Sequence, residues 1–246
     1  MSVVYLVIFI ALFVLQLFTV TAFLKAETPE PCKKSLLLKQ ISSTIFIAAA
    51  VTAVFCADNH TSFAVFMIVG FCFSWLGDFL LHVRPHDEKF FISGLFSFLV
   101  AHIFYIVAYS VGMEAMFPDT SFMGIPEMII FVLAVCAVLF SFSKLKITFG
   151  KTYLPVLFYL CTIGIMVVKA ISLSLRIVTN GASFNPVFSA VVLILGSLAF
   201  LTSDYTLSIL TFKKDVEKHG WLRKLNIYTY FFGQMLLALS ILSITA

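Results

Sequence analysis

The chain has 246 residues, 61% hydrophobic and 11% charged, with a mean hydropathy of +1.09. Soluble domains carry about a quarter charged residues, so a water-soluble fold is excluded: it could not hide this much apolar surface, and the 29 phenylalanines spread along the chain suit lipid as solvent. The net charge of +4 comes from basic residues in short loops, which leaves no basic stripe for nucleic acid and speaks to orientation instead.

A spanning helix needs about 20 mostly apolar residues, and that ruler predicts eight. The first, 2–24, lacks a charged n-region and a small-residue cleavage site, so it reads as a retained helix and not a signal peptide. Thr28-Pro29-Glu30-Pro31 ends it, and the second, 37–57, follows with Lys39 at its opening, at headgroup level. Asp58-Asn59-His60 leads to the third, 62–82. Arg84-Pro85-His86 leads to the fourth, 90–112, and Phe117-Pro118-Asp119 separates that from the fifth, 126–142. The sixth runs 152–175, Asn180-Gly181 and Asn185-Pro186 mark the turn to the seventh, 186–211, and the eighth is 224–245. No soluble domain fits between them, so 1–246 is expected to be one all-α, polytopic membrane helical bundle. Cys32, Cys56, Cys72, Cys136 and Cys161 show no CxxC spacing and read as small buried hydrophobes.

Of the sixteen Lys and Arg residues, fourteen fall in the first, third, fifth and seventh loops, Lys218 and Arg223 among them; only Lys169 and Arg176 lie toward the other side. By the positive-inside rule the odd loops are cytosolic and both termini are not.

Two aspartates lie inside predicted spans, and each costs about 2.5–3.5 kcal/mol on insertion scales. Asp78 sits in Gly77-Asp78-Phe79 near the cytosolic end of helix three, and Asp204 in Ser203-Asp204-Tyr205 about two turns from the cytosolic end of helix seven. Similar depth makes them a candidate pair; the plainer alternative is that each snorkels, caps a helix end or pairs with a nearby lysine for structure. His102 and Tyr105 in helix four, Tyr159 in helix six, and Asn226, Tyr228, Tyr230 and Gln234 in helix eight converge on the same half of the membrane. Lys169, deeper in the outer half, is expected to need an anionic partner.

These residues resemble a known family. Gly70, Ser74, Gly77-Asp78 and Leu81, followed by Gly94-Leu95, Phe98, His102 and Tyr105, are similar to the helix three to four signature of the YhhN family of membrane lysoplasmalogenases. Ser203-Asp204 and then Thr229-Tyr230 with Gln234 are similar to its C-terminal signature, and Tyr159 with Lys169 to its helix six. Where the family often has a proline after the lysine matched by Lys39, this chain has Gln40-Ile41-Ser42. Phe231 stands for the second residue of a tyrosine pair.

The resemblance implies hydrolysis of the vinyl ether bond of a lysoplasmalogen, giving a fatty aldehyde and a glycerophospho-base. Asp78 and Asp204 would then be the acid and base in unassigned order, supported by Lys39, His102, Tyr105, Tyr159, Tyr230 and Gln234, with no metal or organic cofactor. Vinyl ethers open when acid protonates the β-carbon, and a carboxyl beside a carboxylate suits that task. The substrate would be a lysophospholipid with a vinyl ether chain, reached from the cytosolic leaflet, its phosphate near Lys39 and Tyr230. A proton-coupled lipid or small-solute transporter and a non-catalytic lysophospholipid-binding protein are the competing classes. The charge rule suits a bacterial inner membrane and the endoplasmic reticulum equally.

Overall fold

The computed structural model describes residues 3–28, 30–57, 61–84, 87–183, 185–214, 216 and 220–244. The predicted turn residues Pro29, Asp58, Asn59, His60, Pro85 and His86, the basic Lys218, and the predicted outer ends of helices one and eight, residues 2 and 245, lie outside the described residues. Within them the order is α1 (Val3–Glu27), α2 (Lys33–Ala57), α3 (Ser62–Val83), α4 (Glu88–Met116), α5 (Ile125–Lys144), a 3₁₀ turn (Gly150–Thr152), α6 (Tyr153–Asn180), α7 (Pro186–Phe212) and α8 (Trp221–Ser240), with no strand among the described residues.

The helices outrun the hydropathy ruler. α2 begins at Lys33, and α4 and α6 continue to Met116 and Asn180, because a backbone ladder ends where a cap ends it and not where side chains turn polar. Asp87 caps α4 by accepting from the Lys89 N–H at 2.9 Å, and the Glu127 side chain accepts from the Gly124 N–H at 2.6 Å to start α5. Gly181 closes α6 at φ 62°, a left-handed cap that glycine adopts freely. Asn185 accepts from the Phe188 N–H and Pro186 opens α7.

Seven of the helices are long and apolar enough to cross a membrane; α8 is not. All eight expected helices form, and α8 is the least apolar of them for a physical reason. α8 packs on α7, α2 and α1, so Asn226 and Gln234 meet protein and not lipid. The opposite case is α5, which packs on α6 and buries only Phe142. Around the bundle, Phe18, Phe96, Ile125, Leu133, Phe140 and Phe158 face outward, as a multi-pass membrane protein requires.

Two close crossings place the polar interior. A Cβ on Gly77 would stand 2.6 Å from the Phe98 ring, which fixes α3 against α4, and one on Gly233 would stand 3.0 Å from the Gly196 carbonyl, which fixes α8 against α7. Two sequence expectations are refined. Lys169, almost fully buried, donates to the Phe122 carbonyl at 2.7 Å and lies over the Phe122 ring, so a backbone acceptor and an aromatic face hold it directly while the Glu127 carboxylate attracts it from further away. Cys32, Cys72 and Cys136 are exposed, Cys161 is half-buried, and only Cys56 is buried; in the helices an exposed thiol meets lipid, at little cost for so apolar a group.

Candidate functional site

Asp78 and Asp204 line one cavity of about 430 Å³, reached between the ends of α1, α3, α7 and α8. Asp78 lies about 8 Å and Asp204 about 12 Å along its helix from the end nearest the odd-numbered loops. Their surroundings differ.

Asp78, 2% exposed, is gripped from two helices. The Lys39 ammonium stands 3.1 Å from Oδ1, and the Tyr230 hydroxyl donates to Oδ2 at 2.7 Å. The Ser43 hydroxyl donates to Oδ2 as well. Lys39 and Ser43 share a face of α2 at i,i+4 spacing. Lys39 is therefore well inside α2 and buried, not at the opening of the helix. Both residues expected at a phosphate, Lys39 and Tyr230, engage Asp78 and line the cavity.

Asp204 has a sparser neighbourhood. Tyr159 donates to its Oδ2 at 2.6 Å, and His102 Nε2 stands 3.7 Å from the same oxygen, just too far for a direct hydrogen bond. Within the described residues no lysine or arginine pairs with it. His102 is held edge-on against Phe200 at 4.6 Å and Tyr159 at 5.2 Å. Tyr105 donates to Gln234 Oε1 at 3.1 Å and meets the Ser74 hydroxyl at 3.2 Å. So the structure brings Lys39 and Tyr230 to one carboxylate and Tyr159 and His102 to the other, with Tyr105 and Gln234 a layer deeper. Phe98, Phe200 and Tyr230 pack edge to face beneath, at 5.5 to 6.4 Å between rings, and close the inner end.

Sequence reasoning missed the mouth of the cavity. Arg223 and the buried Glu27 form a bidentate pair, Arg223 also donates to Asn226 Oδ1 at 3.1 Å, and the Asn226 amide donates to the Ser203 carbonyl at 2.8 Å. His82 lies 2.7 Å from the Ser35 hydroxyl and 3.6 Å from Glu27. One signal was present: His82 is four residues after Asp78, and Asn226, Tyr230 and Gln234 follow at the same step, so each set shares a helix face. At this end, outside the spans, hydrogen bonds from the Ser35 backbone and hydroxyl hold the Cys32 thiol below its ordinary range.

Chemically the cavity offers a carboxylate surrounded by donors, a second carboxyl with a single hydroxyl donor, and room for a polar group between them. The sequence model described as the YhhN family matches residues 35–241, a span that includes Lys39, both aspartates, Tyr230 and Gln234. A protein of Dictyostelium discoideum described as a lysoplasmalogenase homolog is 30% identical over 204 residues, which cover 75% of this chain and 65% of that protein. No solved structure matches the chain.

Proposed function

Since the chain belongs to the YhhN family, we propose that it is a membrane hydrolase that cleaves the vinyl ether bond of lysoplasmalogens to a fatty aldehyde and a glycerophospho-base. The observation that carries this reading is the pair of aspartates in one cavity with unlike partners: three donors, one of them a cation, on Asp78, and a single tyrosine hydroxyl on Asp204. The description of the Dictyostelium relative points the same way.

In this reading Asp204 is the proton donor and Asp78 the carboxylate. A cation and two hydroxyls favour the charged form of a carboxyl group, whereas one donor in an aromatic setting leaves the neutral form accessible. Asp204 protonates the β-carbon of the vinyl ether, and the positive charge that develops on the ether carbon and oxygen is stabilised by the Asp78 carboxylate. Asp78 then takes a proton from the water that adds to that carbon. The hemiacetal so formed returns its hydroxyl proton to the carboxylate pair as the glycerol oxygen departs with a proton. One water is consumed and both aspartates are restored. Tyr159 orients Asp204, Lys39 and Ser43 orient Asp78, and Phe98 and Phe200 keep bulk water from the cation.

In this reading the cavity mouth, with Glu27 and Arg223, opens to the cytosolic leaflet and both termini lie on the other side, as the positive-inside rule favours. The test is direct: purified protein in detergent, given a lysoplasmalogen, releases aldehyde and glycerophospho-base in equal amounts. Consumption of no vinyl ether by a protein that keeps its native melting profile would overturn the reading, and uptake into sealed vesicles without hydrolysis would favour a transporter.

A further inference from the structure

We propose that the alkyl chain of the substrate lies in the cleft between α5, α6 and α7, so that the lipid bends past Asp204 with its polar part in the main cavity and its chain facing the membrane. This rests on the hydrolase reading above and adds to it the place of the chain and the side from which the lipid enters.

Asp204 borders three spaces. One is the main cavity; the second is a cleft of about 200 Å³ walled by Val138 and Phe142 of α5, Leu160 and Ile163 of α6, and Leu201 of α7. The third, a gap of about 30 Å³, joins them: it shares Phe91, Leu207 and Thr211 with the main cavity and Val156, Tyr159 and Ser208 with the cleft. The two larger spaces differ as the two ends of a lysolipid differ. The main cavity is edged by Glu27, Arg223, Asn226 and Lys39. In the cleft the hydroxyls are already engaged: Thr202 donates to the Leu198 carbonyl, Ser208 to the Asp204 carbonyl, and Tyr205 to the Ser141 hydroxyl, at 2.8 to 3.1 Å. A hydrocarbon chain there leaves these hydroxyls satisfied.

The fold leaves this cleft open on one side. α5 rests on α6 and reaches α7 near its C-terminal end, where Phe142 stacks on Tyr205 at 5.4 Å between rings and Ser141 meets the Tyr205 hydroxyl. Along the rest of its length it faces outward, so a chain passes sideways between α5 and α7 without crossing the packed interior. A route straight inward is closed by Phe200, His102 and Tyr105, all fully buried. A second apolar cleft among the described residues, about 230 Å³ between α1 and α8, reaches neither aspartate.

The experiment uses the full chain in nanodiscs and an alkyl ether lysophospholipid, which lacks the vinyl group, with a diazirine near the chain terminus. On irradiation, adducts on the α5 and α6 peptides holding Val138, Phe142 and Ile163 are expected; adducts on α1 and α8 beside Phe13 and Phe232 would overturn the inference. A second arm replaces Val138 on the peripheral α5: Val138→Trp narrows the cleft and should lower kcat/KM for a hexadecenyl substrate about tenfold relative to an octenyl one. An unchanged ratio would overturn the inference as well. Should the wild type release no aldehyde, the hydrolase reading falls, while the cross-linking pattern still decides where the chain lies.

Discussion

The two aspartates sit at similar depth in one cavity, yet the bundle treats them differently. Asp78 belongs to the α2–α3–α8 side, where an ammonium and two hydroxyls converge on it; Asp204 belongs to the α4–α6–α7 side, where one tyrosine touches it and a histidine waits 3.7 Å away. Position in the membrane alone would make them equivalent. The donors brought by neighbouring helices set the two apart, and the proposed mechanism uses that asymmetry by giving Asp78 the carboxylate's part and Asp204 the acid's.

The largest effects come from removing either carboxylate. Asp78→Asn and Asp204→Asn should each reduce turnover by at least ~10², and the double variant should be scarcely worse than the singles, since groups that act as a unit are not additive. Substantial aldehyde release by both singles would end the shared role. Stability separates the two. Asp78→Asn strands the buried Lys39 ammonium, a loss on the order of 3–5 kcal/mol that shows as a lower Tm, whereas Asp204→Asn breaks no ion pair with a lysine or arginine. Equal melting temperatures would erase the asymmetry.

Lys39→Met probes the same side from the other partner. Because the ammonium engages Asp78, the loss in kcat should be the same for a phosphorylated vinyl ether and for one without phosphate. A rise in KM confined to the phosphorylated substrate would return Lys39 to the headgroup role that the sequence suggested. On the Asp204 side, Tyr159→Phe removes one hydrogen bond to a carboxyl and should lower kcat about tenfold with KM little changed; a change in KM alone would make Tyr159 a substrate contact. The smallest effect, one of labelling rate, concerns Cys32. Exposed at the mouth side and with its thiol held below the usual range by Ser35, it should react fastest with a membrane-impermeant maleimide, and from the cytosolic face. Labelling from the opposite face would invert the topology.

Much of this was legible in one sequence. Apolar runs of spanning length locate the helices, and carboxylates inside them stand out because lipid penalises them. What escaped has three physical causes. Hydropathy marks the hydrocarbon edge, not the helix end, so Lys39 was placed at the opening of α2 when it lies inside, facing Asp78. Serine is common in packed membrane helices, so Ser35 and Ser43 carried no distinguishing signal. The pairing of Glu27 with Arg223, 196 residues apart, is a product of the fold: charge counting placed Arg223 among loop cations and gave Glu27 no role. α8 teaches the complementary lesson, for its polarity, which lowers its score as a span, is the mark of a helix that faces the site.

The most direct test follows the oxygen. Hydrolysis of a lysoplasmalogen in water enriched in heavy oxygen, with the aldehyde reduced as it forms, distinguishes attack on the vinyl carbon from cleavage on the glycerol side. Label in the reduced aldehyde and none in the glycerophospho-base is the result expected from protonation by Asp204 and capture of the cation by water at Asp78. Label in the glycerol hydroxyl would contradict it.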